Sequence, residues 1–151
     1  MTETLFLQAT CVVVEGVGVL LRGPSGSGKS DLALRLIDGG AALVADDGVE
    51  LRRAETSVIA CPPASAPAAV RGRIEARGLG IVPVPSVVEW RLGLVVDLVP
   101  ADAVERLPEP ATAEFLDVKL PLLRLNAAES SAPAKVRLAV RAGPGSIIPP
   151  P

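Results

Sequence analysis

The stretch Gly23, Pro24, Ser25, Gly26, Ser27, Gly28, Lys29, Ser30 restricts the fold more than any other, because it fills every fixed position of the pattern G-x-x-x-x-G-K-[ST]. Its glycines leave the backbone free to curl where side chains would block it. Upstream, Val17-Gly18-Val19-Leu20-Leu21-Arg22 is short, apolar and β-branched, which predicts a strand. Downstream, Leu32, Leu34, Leu36 and Ile37 predict a helix. A strand feeding a glycine-rich turn that opens a helix aims several main-chain N–H groups at one point, at the positive end of the helix dipole. Polyphosphate is the ligand such a crook suits. Lys29 is placed to reach its β- and γ-phosphates, and the Ser30 hydroxyl to hold Mg²⁺.

Composition limits what can surround this loop. With 151 residues, 49% of them hydrophobic, the chain can bury one sizeable core, so a single domain is expected over residues 1–142, followed by a proline-ended tail at 143–151. Net charge is only -2 and the arginines and lysines are scattered, which argues against a nucleic-acid partner held by phosphate neutralisation. Aromatic residues make up 2%, too few for a base-stacking platform. There is no histidine, so any proton transfer falls to a carboxylate, a lysine or water. Cys11 and Cys61 are too far apart in sequence for a zinc or C-x-x-C motif, and Cys11 lies in an apolar run where burial is expected. The start Met1-Thr2-Glu3-Thr4 lacks a basic leader and no apolar run is long enough to span a bilayer, so a cytoplasmic setting without membrane contact is expected.

Taken in order, residues 5–14 read as one strand, and Glu15-Gly16 as the turn of a hairpin into the strand that carries the loop. Gly39-Gly40 stops the helix, and Ala41-Ala42-Leu43-Val44-Ala45-Asp46-Asp47 is an apolar strand ending in two acids. Strand, helix and parallel strand bring both carboxyl ends to one edge of the sheet, so Asp46 and Asp47 land beside the phosphate loop. One of them can hold the metal through water and the other can accept a proton from an incoming hydroxyl. In a regular strand they point to opposite faces. Further on, Arg71, Arg73, Glu75 and Arg77 cluster around glycines in Arg71-Gly72-Arg73-Ile74-Glu75-Ala76-Arg77-Gly78-Leu79-Gly80-Ile81. Arginines there can neutralise charge on a transferring phosphoryl group, and a glutamate can complete a Mg²⁺ shell. Residues 91–99 and 114–118 read as strands and 132–141 as the last helix, with Pro133 in its first turn.

Three stretches together make the chain resemble the catalytic domain of the HPr kinase/phosphorylase family, in a short form without an N-terminal domain: the loop Gly23 to Ser30, the strand Leu43 to Asp47, and the segment Ile74 to Ile81. The third is the discriminating one, since phosphate loops occur in many unrelated enzymes. The resemblance implies an α/β, P-loop kinase-like domain with a mixed β-sheet and the strand–P-loop–helix unit at its centre. It implies a cytoplasmic enzyme that uses ATP and Mg²⁺ to phosphorylate a serine of the phosphocarrier HPr, and reverses this with phosphate to give pyrophosphate. It also implies a ring-like homo-oligomer. Carried onto this chain, Lys29 grips the transferring phosphate, residues 23–30 and Arg77 bind the nucleotide phosphates, and Ser30, Glu75 and Asp46 are the metal ligands. Asp47 is general base in one direction and general acid in the other. Arg106 falls where the family places an active-site arginine, and Leu120 to Leu125 resembles the segment used in dephosphorylation. Gln8 stands where the family carries an active-site histidine. An amide can hydrogen-bond a phosphate oxygen but cannot exchange a proton near neutral pH. Two other readings follow from the residues: a nucleotide-binding regulator with impaired turnover because of Gln8, and a small-molecule kinase. The absence of N-K-x-D disfavours a GTPase.

Overall fold

The computed structural model describes residues 3–143. The first strands are β1 (Thr4–Leu7), β2 (Ala9–Val14) and β3 (Val17–Arg22). Residues 5–14 are therefore not one strand, as their apolar run predicts. The chain breaks at Gln8, because its two halves pair with different partners: β2 lies antiparallel to β3, whereas β1 leaves to pair with β5 (Val49–Ala54). The predicted hairpin between β2 and β3 is present, turning through Glu15 and Gly16 at φ +49° and +84°.

After the glycine loop comes α1 (Lys29–Asp38), which ends at Gly39, and then β4 (Ala42–Ala45). β4 and β3 run parallel, as expected, but they are not neighbours: β2 lies between them, antiparallel to both. The carboxyl ends of β3 and β4 still reach the same sheet edge. On the other side of β3 lies β9 (Trp90–Leu98), parallel to it. There the sheet forks. The start of β9 pairs with β6 (Ser57–Cys61), which continues to β5 and β1, while its end pairs in parallel with β11 (Val118–Leu125). β10 (Ala111–Phe115) closes that branch as a hairpin with β11. Residues 114–118, predicted as a single strand, are the tip of this hairpin. Leu116 and Asp117 have φ +50° and +64°, a turn that no glycine signals in the sequence.

Strand alternation divides the interior into two clusters. Val12, Val14, Val19, Leu21, Leu94 and Val96 point to the face that α1 and α2 (Ala132–Ala142) cover with Leu32, Leu36, Val136 and Ala139. Cys11, Val13, Leu20 and Val95 point the other way, onto Val49, Leu51, Val58, Phe115 and Leu122 of the two branches. Each such Leu or Val contributes about 1.5–3 kcal/mol when fully buried. α2 begins with Pro133 in its first turn, as predicted, and stops at Gly143; the tail from residue 144 lies outside the described residues. A small separate hairpin, β7 (Arg73–Ala76) with β8 (Gly80–Pro83), is anchored by Ile74, which is fully buried in the helix-side cluster. The segment after β8 is stitched to β4, Leu43 N–H donating to Pro85 O and Val87 N–H to Leu43 O. No helix among the described residues is long and apolar enough to cross a membrane.

Candidate active site

Four elements meet at the carboxyl edge of the sheet. The loop leaves β3 at Gly23 and enters α1 through Gly28, whose φ of +97° opens the helix. Gly26 faces open space, and it is its left-handed backbone, at φ +83°, that favours glycine there. Behind the loop Gly28 is pressed on Ala127, 2.8 Å from where a Cβ would stand, so the crook is braced against the chain leading to α2. Arg35 adds to that brace, donating to the carbonyls of Ala127 and Glu129.

Within the crook Lys29 is buried, 7% exposed, and its Nζ donates to Gly23 O (2.7 Å) and Pro24 O (3.2 Å). No carboxylate among the described residues is within ion-pair distance of it. A buried cation without a counter-charge is expensive unless an anion arrives from outside. Ser27 Oγ is likewise buried and has no hydrogen-bond partner among the described residues. Both features fit a loop built round polyphosphate.

Asp46 and Asp47 lie just past the end of β4. The strand does not stay regular: Asp47 has φ +56°, which turns the chain and releases the two acids from strict alternation. Asp46 Oδ1 accepts from Ser30 Oγ at 2.6 Å and from Thr10 Oγ1 at 3.0 Å, and its Oδ2 from the Glu75 N–H at 3.3 Å. The Asp47 N–H donates to Thr10 Oγ1 at 3.2 Å. Because the Ser30 O–H donates its hydrogen bond to Asp46, the hydroxyl oxygen keeps a lone pair for a cation. Among the described residues no three His, Cys, Asp or Glu side chains gather as a self-sufficient metal cage. A serine hydroxyl with one or two carboxylates is nevertheless the donor set that suits Mg²⁺, which takes its remaining ligands from phosphate and water. Ser30, Asp46 and Glu75 fit it.

A cleft of about 450 Å³ opens over the loop, lined by Ser25, Gly26, Gly28, Lys29, Ser30, Asp31 and Leu34 below and by Asp47, Glu75, Ala76 and Arg77 above. Asp47 also lines a second hollow of about 260 Å³, bounded by Phe6, Pro63, Pro67, Val70 and Arg71. Arg71 spans that rim by donating to the carbonyls of Pro63 and Ala66. Most of the sequence-predicted residues therefore come together: residues 23–30, Asp46, Asp47, Glu75 and Arg77.

Three features stand apart. Gln8 is exposed at the break between β1 and β2, one residue beyond the Ala9–Arg22 pair, and does not line the cleft. Arg106 is exposed in the loop after a 3₁₀ turn at Ala101–Ala103 and is outside the cleft as well. Leu120 to Arg124 line a different, mainly apolar hollow of about 350 Å³ with Glu105 and Pro108. Thr10 is the participant that sequence reasoning missed; its only signal is a hydroxyl in a run otherwise apolar from Ala9 to Val14. Cys11 and Cys61 take no part. Burial pushes both thiols up, away from the reactive thiolate.

Fold and site together define the class: an α/β domain organised round a strand, a glycine loop and a helix, with a carboxylate turn facing the loop. The chain belongs, within that class, to the HPr Serine kinase C-terminal domain family, whose model matches residues 1–140. It is 39% identical over 139 residues to the HPr kinase/phosphorylase of Bordetella pertussis, a match covering 85% of this chain and 44% of that protein. With the HPr kinase/phosphorylase of Geobacillus kaustophilus it shares 37% over 136 residues, 83% of this chain and 43% of that one. Identity to the Clostridium tetani HPr kinase/phosphorylase reaches 44% over 92 residues, 61% of this chain and 28% of that protein. The chain thus spans less than half the length of these curated relatives. The solved structure of the Hpr(Ser) kinase/phosphatase from Coxiella burnetii is similar with a TM-score of 0.77 at 27% identity, covering 91% of this chain and 88% of that one. The mixed α/β architecture expected from the sequence is the one observed.

Proposed function

We propose that the chain is the catalytic part of a cytoplasmic, ATP- and Mg²⁺-dependent protein kinase that phosphorylates a serine of an HPr-type phosphocarrier. The same site removes that phosphate by phosphorolysis, and the pair of reactions serves the control of carbohydrate uptake. One observation carries the reading: Asp47 forms a wall shared by the phosphate-loop cleft and the neighbouring hollow. A carboxylate between a phosphate donor and a hydroxyl acceptor is where a general base belongs.

On this reading the main-chain amides of residues 23–28 and the Lys29 ammonium hold the β- and γ-phosphates. Lys29 exchanges the carbonyls of Gly23 and Pro24 for phosphate oxygens. Ser30, Asp46 and Glu75 are the residues that would hold Mg²⁺, which when bound supplies positive charge to those oxygens. Arg77, on the upper wall, balances further charge. The acceptor serine enters from the Phe6 and Val70 side, gives its proton to Asp47, and its oxygen attacks the γ-phosphorus as the bond to ADP breaks. In reverse, phosphate attacks phosphoserine, pyrophosphate leaves, and Asp47 returns the proton to the serine oxygen.

Incubation with labelled ATP, Mg²⁺ and HPr is expected to label HPr. Asp47→Asn is expected to lower transfer by ~10²–10⁴ while leaving nucleotide binding intact, since it removes the base and not the phosphate contacts. HPr left unlabelled by a protein that binds ATP, or label transferred instead to small hydroxylated metabolites, would contradict the proposal.

A further inference from the structure

We infer that Thr10 is a positioning residue for both carboxylates of the site, which rests on the reading above that Asp46 serves the metal and Asp47 the proton. Thr10 is completely buried on β2, opposite Leu21 of β3. Its Oγ1 makes two bonds of opposite sense, donating to Asp46 Oδ1 (3.0 Å) and accepting from the Asp47 N–H (3.2 Å). One hydroxyl therefore orients a side chain and a main chain that belong to successive residues.

Local geometry explains why such a clamp is needed. The β2–β4 ladder ends at the Cys11–Ala45 pair, beside a register irregularity, so among the described residues no strand partner holds the two residues that follow. Asp47 is in the left-handed region, which a residue with a Cβ adopts only at some energetic expense. Its N–H finds its acceptor in Thr10. The same hydroxyl, together with Ser30 Oγ, fixes Asp46 Oδ1, while the Glu75 N–H holds Oδ2. Removing the Thr10 hydroxyl frees the Asp47 turn and leaves Asp46 with one fewer donor, yet touches neither the glycine loop nor Lys29.

Thr10→Val keeps volume and branching and deletes only the hydroxyl. Thr10→Ser keeps the hydroxyl and deletes a methyl. In Thr10→Val, kcat for phosphorylation of HPr is expected to fall about ten- to a hundredfold, the effect of a displacement on the order of 1 Å. KM for ATP should stay within about threefold, because the phosphate contacts remain, and the Mg²⁺ concentration for half-maximal ATP binding should rise several-fold. Thr10→Ser should restore both quantities to near parent values. A readout independent of turnover is the Asp47 amide in ¹H–¹⁵N spectra, whose proton should shift upfield and exchange faster in Thr10→Val but not in Thr10→Ser. Thr10→Cys against Thr10→Ser repeats the comparison should the valine variant fold poorly, since a thiol is a weak donor and acceptor.

A parent protein that binds no Mg²⁺·ATP would overturn the functional reading. A parent that binds ATP while Thr10→Val matches it in kcat, Mg²⁺ requirement and the Asp47 amide would overturn the role of Thr10 alone. Equal losses in the serine and valine variants would do the same, since they would point to packing and not to the hydroxyl.

Discussion

Lys29, Ser30, Asp46 and Asp47 carry their chemistry through neighbours that constrain them, and each constraint is local. Lys29 is held without an acid partner among the described residues, and the Ser30 O–H donates a hydrogen bond to Asp46. Gln8 stands where the resemblance to the family leads one to expect a histidine. It sits exposed, outside the lining of the cleft, one step past the Ala9–Arg22 pair and so level with Gly23 at the start of the loop. Gln8→His is expected to raise HPr phosphorylation by about tenfold or more, because an imidazole adds a proton carrier where an amide has none. ATP affinity should remain within about twofold, since the loop amides are untouched. Steady-state assays paired with a binding titration check this. A variant no faster than the parent would show that residue 8 does not limit turnover. The loop and the acid pair were legible because each is contiguous, with spacing that has few uses. Thr10 was not, since its role depends on where the start of β2 lies relative to the end of β4, next to Asp46 thirty-six residues away.

At the level of elements, the position of β3 decides whether the loop faces the acids. β3 sits between antiparallel β2 and parallel β9, and Gly18 sets its separation from β9. A Cβ at Gly18 would lie 2.3 Å from the carbonyl oxygen of Arg91 and 3.0 Å from its carbon. Backbone atoms cannot rotate aside as a side chain can. Gly18→Ala is therefore expected to destabilise the protein by about 1–3 kcal/mol through overpacking, visible as a lower midpoint of urea unfolding at unchanged slope. A midpoint equal to the parent's would contradict the close approach. Strand and helix identities were largely readable from periodicity and from the Gly39 and Gly143 stops. Two breaks were not. At Gln8 nothing in the residue types marks the point where one apolar run changes partners. At Leu116-Asp117 the turn uses an aspartate, which tolerates a left-handed backbone, in place of the glycine that would have announced it.

Across the whole molecule, a sheet forked at β9 gives each face its own covering: helices on one side, curled strand branches on the other. The fork brings Phe6 and the chain around Val70 next to Asp47, on the side of the acids away from the loop. This arrangement was hidden from the sequence, because a parallel strand and an antiparallel strand that share one edge of β9 leave no periodic trace. For any of this chemistry the crook at residues 23–30 must bind polyphosphate, with a cation held by Ser30 and the acids opposite. Isothermal titration of Mg²⁺·ATP into the purified protein tests this most directly. The expected result is a saturable heat of association that weakens by about tenfold, or roughly 1.4 kcal/mol, when Mg²⁺ is withheld. No heat beyond dilution, with or without Mg²⁺, would contradict it.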